Sequence, residues 1–220
     1  MAPKAVFFDV DGTLVDSNEF HVSAWEEALR DGGLFAARSA IRGQIGKGGD
    51  NLLPSLFPDI TVEQLDALSH RHGAIFKQRY LEQVKPFPHA SDLIARLHTE
   101  GKQVLLTSSA KQAEIDFYID LLGASSYIDA ATTIDDVRSS KPSGDIFASA
   151  LGKVFPMGPR EVIVVGDTPY DVTSAAKCDL ATIGLLAGGV SELLLRKAGA
   201  VAVYSSVKHL FDEFDQSLLA

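Results

Sequence analysis

Five apolar runs punctuate the chain, and most of them do not alternate with polar residues. They are AVFFDV near the start, KQVLLTS around Val104, YIDAATT around Ala130, EVIVVGD around Val164 and LATIGLL around Ile183. A strand of a parallel sheet is covered on both faces, so it reads as a continuous apolar run. Helical patterns fall between the runs. HASDLIARLHTEG puts Leu93, Ile94 and Leu97 on one face and stops at Gly101. AEIDFYIDLLG repeats the spacing with Ile115, Ile119 and Leu122, and PSGDIFASALGKV and TPYDVTSAAKC follow. Strand–helix alternation from about residue 86 onward predicts an α/β fold, a doubly wound parallel sheet.

Residues 16–85 carry a different pattern, with no convincing strand. Phe20, Ala24, Trp25, Ala28 and Leu29 form one amphipathic stripe, and Val62, Leu65, Leu68, Ile75 and Phe76 a longer one. Between them lies the glycine-rich piece RGQIGKGGDNLLPSLFPDI, which contains Arg42 and Lys47. The span is too long and too patterned for a loop. It predicts an insertion of about four helices after the first strand: a small helical cap over 16–85, on an α/β core of 1–15 and 86–220. The chain would cross twice, near Val15 and near Lys85-Pro86, which suits the hinges of a lid. Helices packed onto the sheet as one body are the alternative.

Composition narrows the function. The chain has 220 residues, 46% hydrophobic and 22% charged, as in ordinary globular proteins. A net charge of −9 argues against sequence-independent nucleic-acid binding, which needs a basic surface. The single cysteine, Cys178, excludes an internal disulfide, fits a reducing compartment and reads as a small buried side chain. MAPKAVFF is too short an apolar run for a signal peptide, and no segment has the length of a membrane span. A cytoplasmic protein with no membrane partner is expected; oligomeric state is not readable.

In open parallel sheets ligands bind beyond the carboxyl ends of the strands, so those ends locate the candidate chemistry. The first run ends at Asp9-Val10-Asp11-Gly12-Thr13, the second at Thr107-Ser108-Ser109, the fourth at Gly166-Asp167-Thr168 with Asp171 one helical turn on; Lys141 precedes the helix after the third. Each has a bland reading. Asp11-Gly12 makes a hairpin turn, Thr107 or Ser108 a helix cap, Lys141 a loop lysine, Asp167 and Asp171 a cap and a surface acid. Together they converge on one edge of the sheet. Three carboxylates there need a cation, and a few hard oxygen ligands suit Mg²⁺. Asp9 and Asp11 share a side of an extended chain, so one can attack while the other handles a proton. Gly12 permits a tight turn and close approach. Thr107, Ser108 and the helix start behind them offer donors to an anion, and Lys141 offers a positive charge. Asp167 would hold the metal, supported by Asp171.

These motifs, Asp9-Val-Asp11-Gly-Thr13, Thr107, Lys141-Pro142 and Gly166-Asp167-Thr168-Pro-Tyr-Asp171, resemble the haloacid dehalogenase superfamily of phosphotransferases over essentially the whole chain. The helical insertion is similar to the β-phosphoglucomutase and phosphoglycolate phosphatase branch. The resemblance implies a Rossmann-like core. It makes Asp9 the nucleophile that becomes an aspartyl-phosphate, and Asp11 the group that protonates the leaving alcohol and then activates water. It has Mg²⁺ held by Asp9, the main-chain carbonyl of Asp11 and Asp167, and the phosphoryl group held by Thr107 and Lys141. Gly12, Thr13, Ser108 and Ser109 join as substrate-binding positions. Ser108 stands where many relatives have asparagine, and a glycine often found near Cys178-Asp179 is missing.

The cap would choose the substrate. His21, in HVSAW, either contacts the leaving group, couples cap closure to Asp11, or is satisfied within its helix. Arg42, Lys47 and Gly46, Gly48 and Gly49 form either a specificity loop or a connector; Trp25 reads as core and Lys77 as solvated. The expected activity is Mg²⁺-dependent hydrolysis of a small phosphorylated metabolite, a sugar phosphate or phosphoglycolate. The alternatives are a sugar phosphomutase, a haloacid dehalogenase (disfavoured by Asp11) and a non-catalytic binder of a phosphorylated ligand.

Overall fold

The computed structural model describes residues 2–220. Six parallel strands form one sheet: β1 Ala5–Phe8, β2 Gln103–Thr107, β3 Ala130–Thr132, β4 Val162–Gly166, β5 Ala181–Leu185 and β6 Ala202–Tyr204, in the order β3-β2-β1-β4-β5-β6. The order reverses direction beside β1, so the switch point lies between β1 and β4. Alternate residues of β1 serve two cores. Val6 and Phe8 pack with Leu93, Ile94, Ile115 and Leu210 on one face, Ala5 and Phe7 with Phe147, Ala150 and Ala175 on the other. That two-sided burial explains the unbroken apolar run.

Crossover helices cover both faces: α5 Ala90–Thr99, α6 Gln112–Leu122, α7 Asp145–Lys153, α8 Pro169–Ala176, α9 Glu192–Ala198 and α10 Val207–Asp212, after the four helices of the insertion. The sixth strand and the last two helices lie beyond the five predicted strands. β6 is a three-residue edge strand with all residues half-buried, so it lacks the apolar run that marks the others. Asp179 occupies the left-handed region at φ 58, where the missing glycine would have stood. Aspartate tolerates that region better than most residues. Cys178 is half-buried rather than enclosed, and its thiol donates to the Gly144 carbonyl at 3.3 Å.

The insertion consists of α1 Asn18–Asp31, α2 Arg38–Arg42, α3 Gly49–Leu56 and α4 Val62–Arg79. Val22, Trp25, Leu29, Ile41, Leu52, Leu53 and Leu68 form a core within this layer. Its base is continuous with the sheet core, since Ala24, Ala28, Ile75, Phe76 and Leu81 pack with Leu14, Val15 and Ala90. Val62, in the first turn of α4, is 70% exposed and takes no part in the predicted stripe. The two crossings run side by side: Asp16 N–H donates to Lys85 O at 2.9 Å, and Val15 pairs antiparallel with Pro86. Among the described residues no helix is long and apolar enough to cross a membrane.

Candidate active site

The loop after β1 is a tight turn, without a returning strand. Thr13, Leu14 and Val15 all direct their N–H groups to Val10 O at 2.8–3.2 Å. Gly12 makes this possible at φ 76, with the space above it filled: a Cβ there would sit 2.3 Å from Asp167 Oδ2. Asp9, held by its N–H to Val165 O at 2.9 Å, is 5% exposed.

Lys141 is fully buried and ties three chain segments together. Its Nζ donates to Asp9 Oδ1 at 2.6 Å and to Thr107 O at 2.9 Å, and pairs with Asp171 Oδ1 at 2.7 Å. Asp171 is aimed by the start of α8, where Thr168 N–H and Oγ1 both donate to its Oδ2, at 3.0 and 2.7 Å. Asp167 accepts from Thr13 Oγ1 at 3.1 Å and from Asn18 Nδ2 at 3.0 Å. Asp9, Asp167 and Asp171 each bring an oxygen within 4.8 Å of the others. Burial, then the charge of Asp171, outweighs Lys141 and raises Asp9 to about 7. Burial and the charges of Asp9 and Asp171 push Asp167 well above the usual carboxylate range. Three buried acids against one ammonium leave uncompensated negative charge, and this donor set fits a hard divalent cation.

Asp11 belongs to a second layer, facing the helical insertion. It accepts from Ser17 Oγ at 2.5 Å and lies 3.1 Å from His21 Nε2. Burial opposes ionisation of Asp11, but His21 and Ser17 together hold its carboxyl below the ordinary range. His21 in turn is 3.3 Å from His72 Nε2 through Nδ1 and stacks on Phe76 at 3.8 Å. Burial works against the imidazolium, yet Asp11 and Glu114 raise its pKa. Burial, then the charge of His21, lowers His72 well below the usual histidine value, so it accepts from His21 as a neutral ring. Of the alternatives for His21, the geometry joins it to Asp11 across the insertion–core boundary.

Between the layers lies a cavity of about 620 Å³, lined by Asp9, Asp11, His21, Lys47, Ser108 and Ser109 among others. Trp25, packed in the insertion core as expected, and Lys77, exposed as expected, also line it. Thr107 and Ser108 are engaged with the chain itself. Thr107 Oγ1 donates to Phe8 O at 3.1 Å, and Ser108 Oγ accepts from Ala110 N at 3.0 Å. Ser109 Oγ donates to Gly46 O at 3.3 Å. Lys47 bonds Gln44 and Ser55 and sits 4.6 Å above the Tyr170 ring. Arg42 does not join the group: it is exposed and pairs with Glu19 at 2.6 Å. The glycine-rich loop reaches the core next to Lys141, where Asn51 Nδ2 donates to Ser140 O at 3.0 Å and Ser140 N to Asp50 Oδ2 at 2.9 Å.

Sequence reasoning missed Ser17, Asn18, His72 and Glu114. Ser17 and Asn18 lie shortly after the Asp9–Thr13 motif, beyond Leu14, Val15 and Asp16, and could have been found as polar groups at the entry of α1. His72 and Glu114 sit in helices with no motif around them. Glu114 faces the cavity, and burial raises its carboxyl to about 7.

Comparison with known proteins gives a consistent picture. Residues 6–185 match the family model described as haloacid dehalogenase-like hydrolase. A phosphoglycolate phosphatase of Yersinia pestis is 30% identical, with 85% of this chain and 82% of that protein covered. A pyrophosphatase of Bacillus velezensis is 26% identical over 82% of each. The crystal structure of a hydrolase from Pseudomonas syringae superposes with a TM-score of 0.91 at 32% identity, covering 97% of this chain and 98% of that one.

Proposed function

The chain belongs to the haloacid dehalogenase-like hydrolase family, and from that premise we propose that it is a Mg²⁺-dependent phosphatase acting on a small phosphorylated metabolite through an aspartyl-phosphate. The observation that supports this most is Asp9. Its Oδ1 is fixed by the Lys141 ammonium at 2.6 Å while the residue lines the cavity beside two further acids.

Asp9, the main-chain carbonyl of Asp11 and Asp167 would hold the metal. When bound, it supplies charge that lets phosphoryl oxygens approach a carboxylate nucleophile. Asp9 attacks phosphorus, and the bond to the alcohol oxygen breaks. That oxygen takes up a proton through Asp11, which is ionised at rest and is resupplied by the His21 imidazolium 3.1 Å away. In the second half Asp11 takes a proton from water, whose oxygen attacks phosphorus and restores Asp9 with release of phosphate. Lys141 meets three acceptors of the chain, so it acts by orienting Asp9 and by its charge. The helical layer that roofs the cavity keeps bulk water from the intermediate.

A phosphate-release screen over phosphorylated metabolites with Mg²⁺ tests the reading. EDTA and Asp9→Asn are each expected to abolish turnover. Undiminished activity in either case removes this mechanism.

A further inference from the structure

Glu114 has no task in the chemistry above. It stands in the first turn of α6 and lines the cavity, and its side chain is 20% exposed. Among the described residues no hydrogen bond reaches its buried Oε1. The nearest cation, His21 Nε2, is 3.7 Å away and is directed at Asp11 instead. The cavity it lines is largely apolar, with Ala110, Ala113, Trp25 and Leu81, and has Lys77, Lys111 and Arg138 elsewhere on its lining. A buried carboxyl oxygen with no hydrogen-bond partner is a costly arrangement unless a ligand satisfies it.

Its position says which part of a ligand that is. Asp11, His21 and Glu114 each place a polar atom within 4.8 Å of the others. In the proposed reaction Asp11 serves the ester oxygen of the departing alcohol, and Glu114, within 4.8 Å of it, is then in reach of the substituent on the carbon next to the one bearing the phosphate. A hydroxyl there donates to Glu114. A carboxylate there meets two acidic side chains with the single His21 imidazolium between them, and like charges brought together are penalised. The cavity of about 620 Å³ leaves room for several further hydroxylated carbons.

We infer that Glu114 is the specificity-determining residue of this site: it receives a hydroxyl adjacent to the phosphoester, selecting polyol and sugar phosphates and excluding phosphorylated carboxylic acids. This rests on the phosphatase reading and narrows it.

Three phosphomonoesters that differ at that neighbouring carbon decide the matter: glycerol 3-phosphate, ethyl phosphate and 2-phosphoglycolate. Each is assayed for phosphate release with Mg²⁺ in wild type, Glu114→Gln and Glu114→Ala. The wild-type order of kcat/KM is expected to be glycerol 3-phosphate, then ethyl phosphate, then 2-phosphoglycolate. The ratio of the first to the last should fall about tenfold to a hundredfold in Glu114→Ala. In Glu114→Gln it should fall less, because the amide still accepts a hydrogen bond but no longer repels. Ratios taken within one sample do not depend on the folded fraction. A wild type that prefers 2-phosphoglycolate, or ratios unmoved in both variants, overturns the role of Glu114 and leaves the phosphatase reading standing. No release from any of the three, with turnover of another ester in the metabolite screen, overturns the role of Glu114 alone; no release in that screen either overturns both.

Discussion

Lys141 is the residue on which the site's charge balance turns. A fully buried ammonium beside Asp9 and Asp171 is held there by those carboxylates, and among the described residues no other cation pairs with them. Removing one partner of a buried ion pair leaves an uncompensated charge. Lys141→Met should therefore cost about 3–5 kcal/mol in urea unfolding with EDTA present; a loss below about 1 kcal/mol would show the acids protonate at little cost. Gly188 marks another point with no slack, since a Cβ there would lie 1.6 Å from Asp167 Oδ2. Gly188→Ala is expected to weaken Mg²⁺ binding at least tenfold by calorimetry. Asp11→Ala should retain the ion and lose most turnover, because its proposed metal contact is through the backbone. At this scale the sequence was informative where a polar residue ends an apolar run, as at Asp9, Thr107 and Asp167. It was silent on Glu114 and His72, whose neighbours in the chain are those of any amphipathic helix and whose partners come from other helices.

Among elements, α8 shows how local structure serves the site. Thr168 caps the helix and reciprocally receives Asp171, and this box turns the Asp171 carboxylate toward Lys141. Thr168→Ala should lower stability by about 1 kcal/mol, read from the shift in urea midpoint at constant slope. The Thr-x-x-Asp spacing was visible in the sequence, but its purpose depends on Lys141 arriving from the α7 approach. The glycine-rich piece between α2 and α3 could be read only as loop or connector. The structure gives it partners through Gly48, Asp50 and Asn51, which bond the Ser139–Ser140 segment. β6 escaped notice because an edge strand of three half-buried residues has no periodic signal to read.

For the whole molecule, the contact that joins the helical layer to the sheet at the site is also a titrating one. His21 belongs to α1 and Asp11 to the loop after β1. Asp11 is depressed below 3.8, chiefly because His21 and Ser17 overcome its burial, so its contribution is present above that value and fades as pH falls through the folded pKa. His21 is raised above 6.5 because Asp11 and Glu114 overcome its burial, so its contribution is complete below 6.5 and fades as pH rises through the folded pKa. The stability difference between wild type and His21→Gln should thus be largest between pH 3.8 and 6.5 and shrink on both sides. A difference that is flat from pH 3 to 9 would show that the pair bears no charge. The parallel sheet and the helical insertion were legible because two-sided burial and amphipathic stripes leave distinct periods. How the base of the insertion merges with the sheet core was not, since Ala24 and Phe76 read the same whichever body they pack against. The paired crossings at Val15–Asp16 and Lys85–Pro86 carry one more consequence. Because entry and exit touch, the sheet registers seventy residues of inserted chain as a splice no wider than a hairpin. Change inside that cassette, so long as the α1 and α4 residues sealing its base are kept, can therefore leave the strand ends beneath it undisturbed.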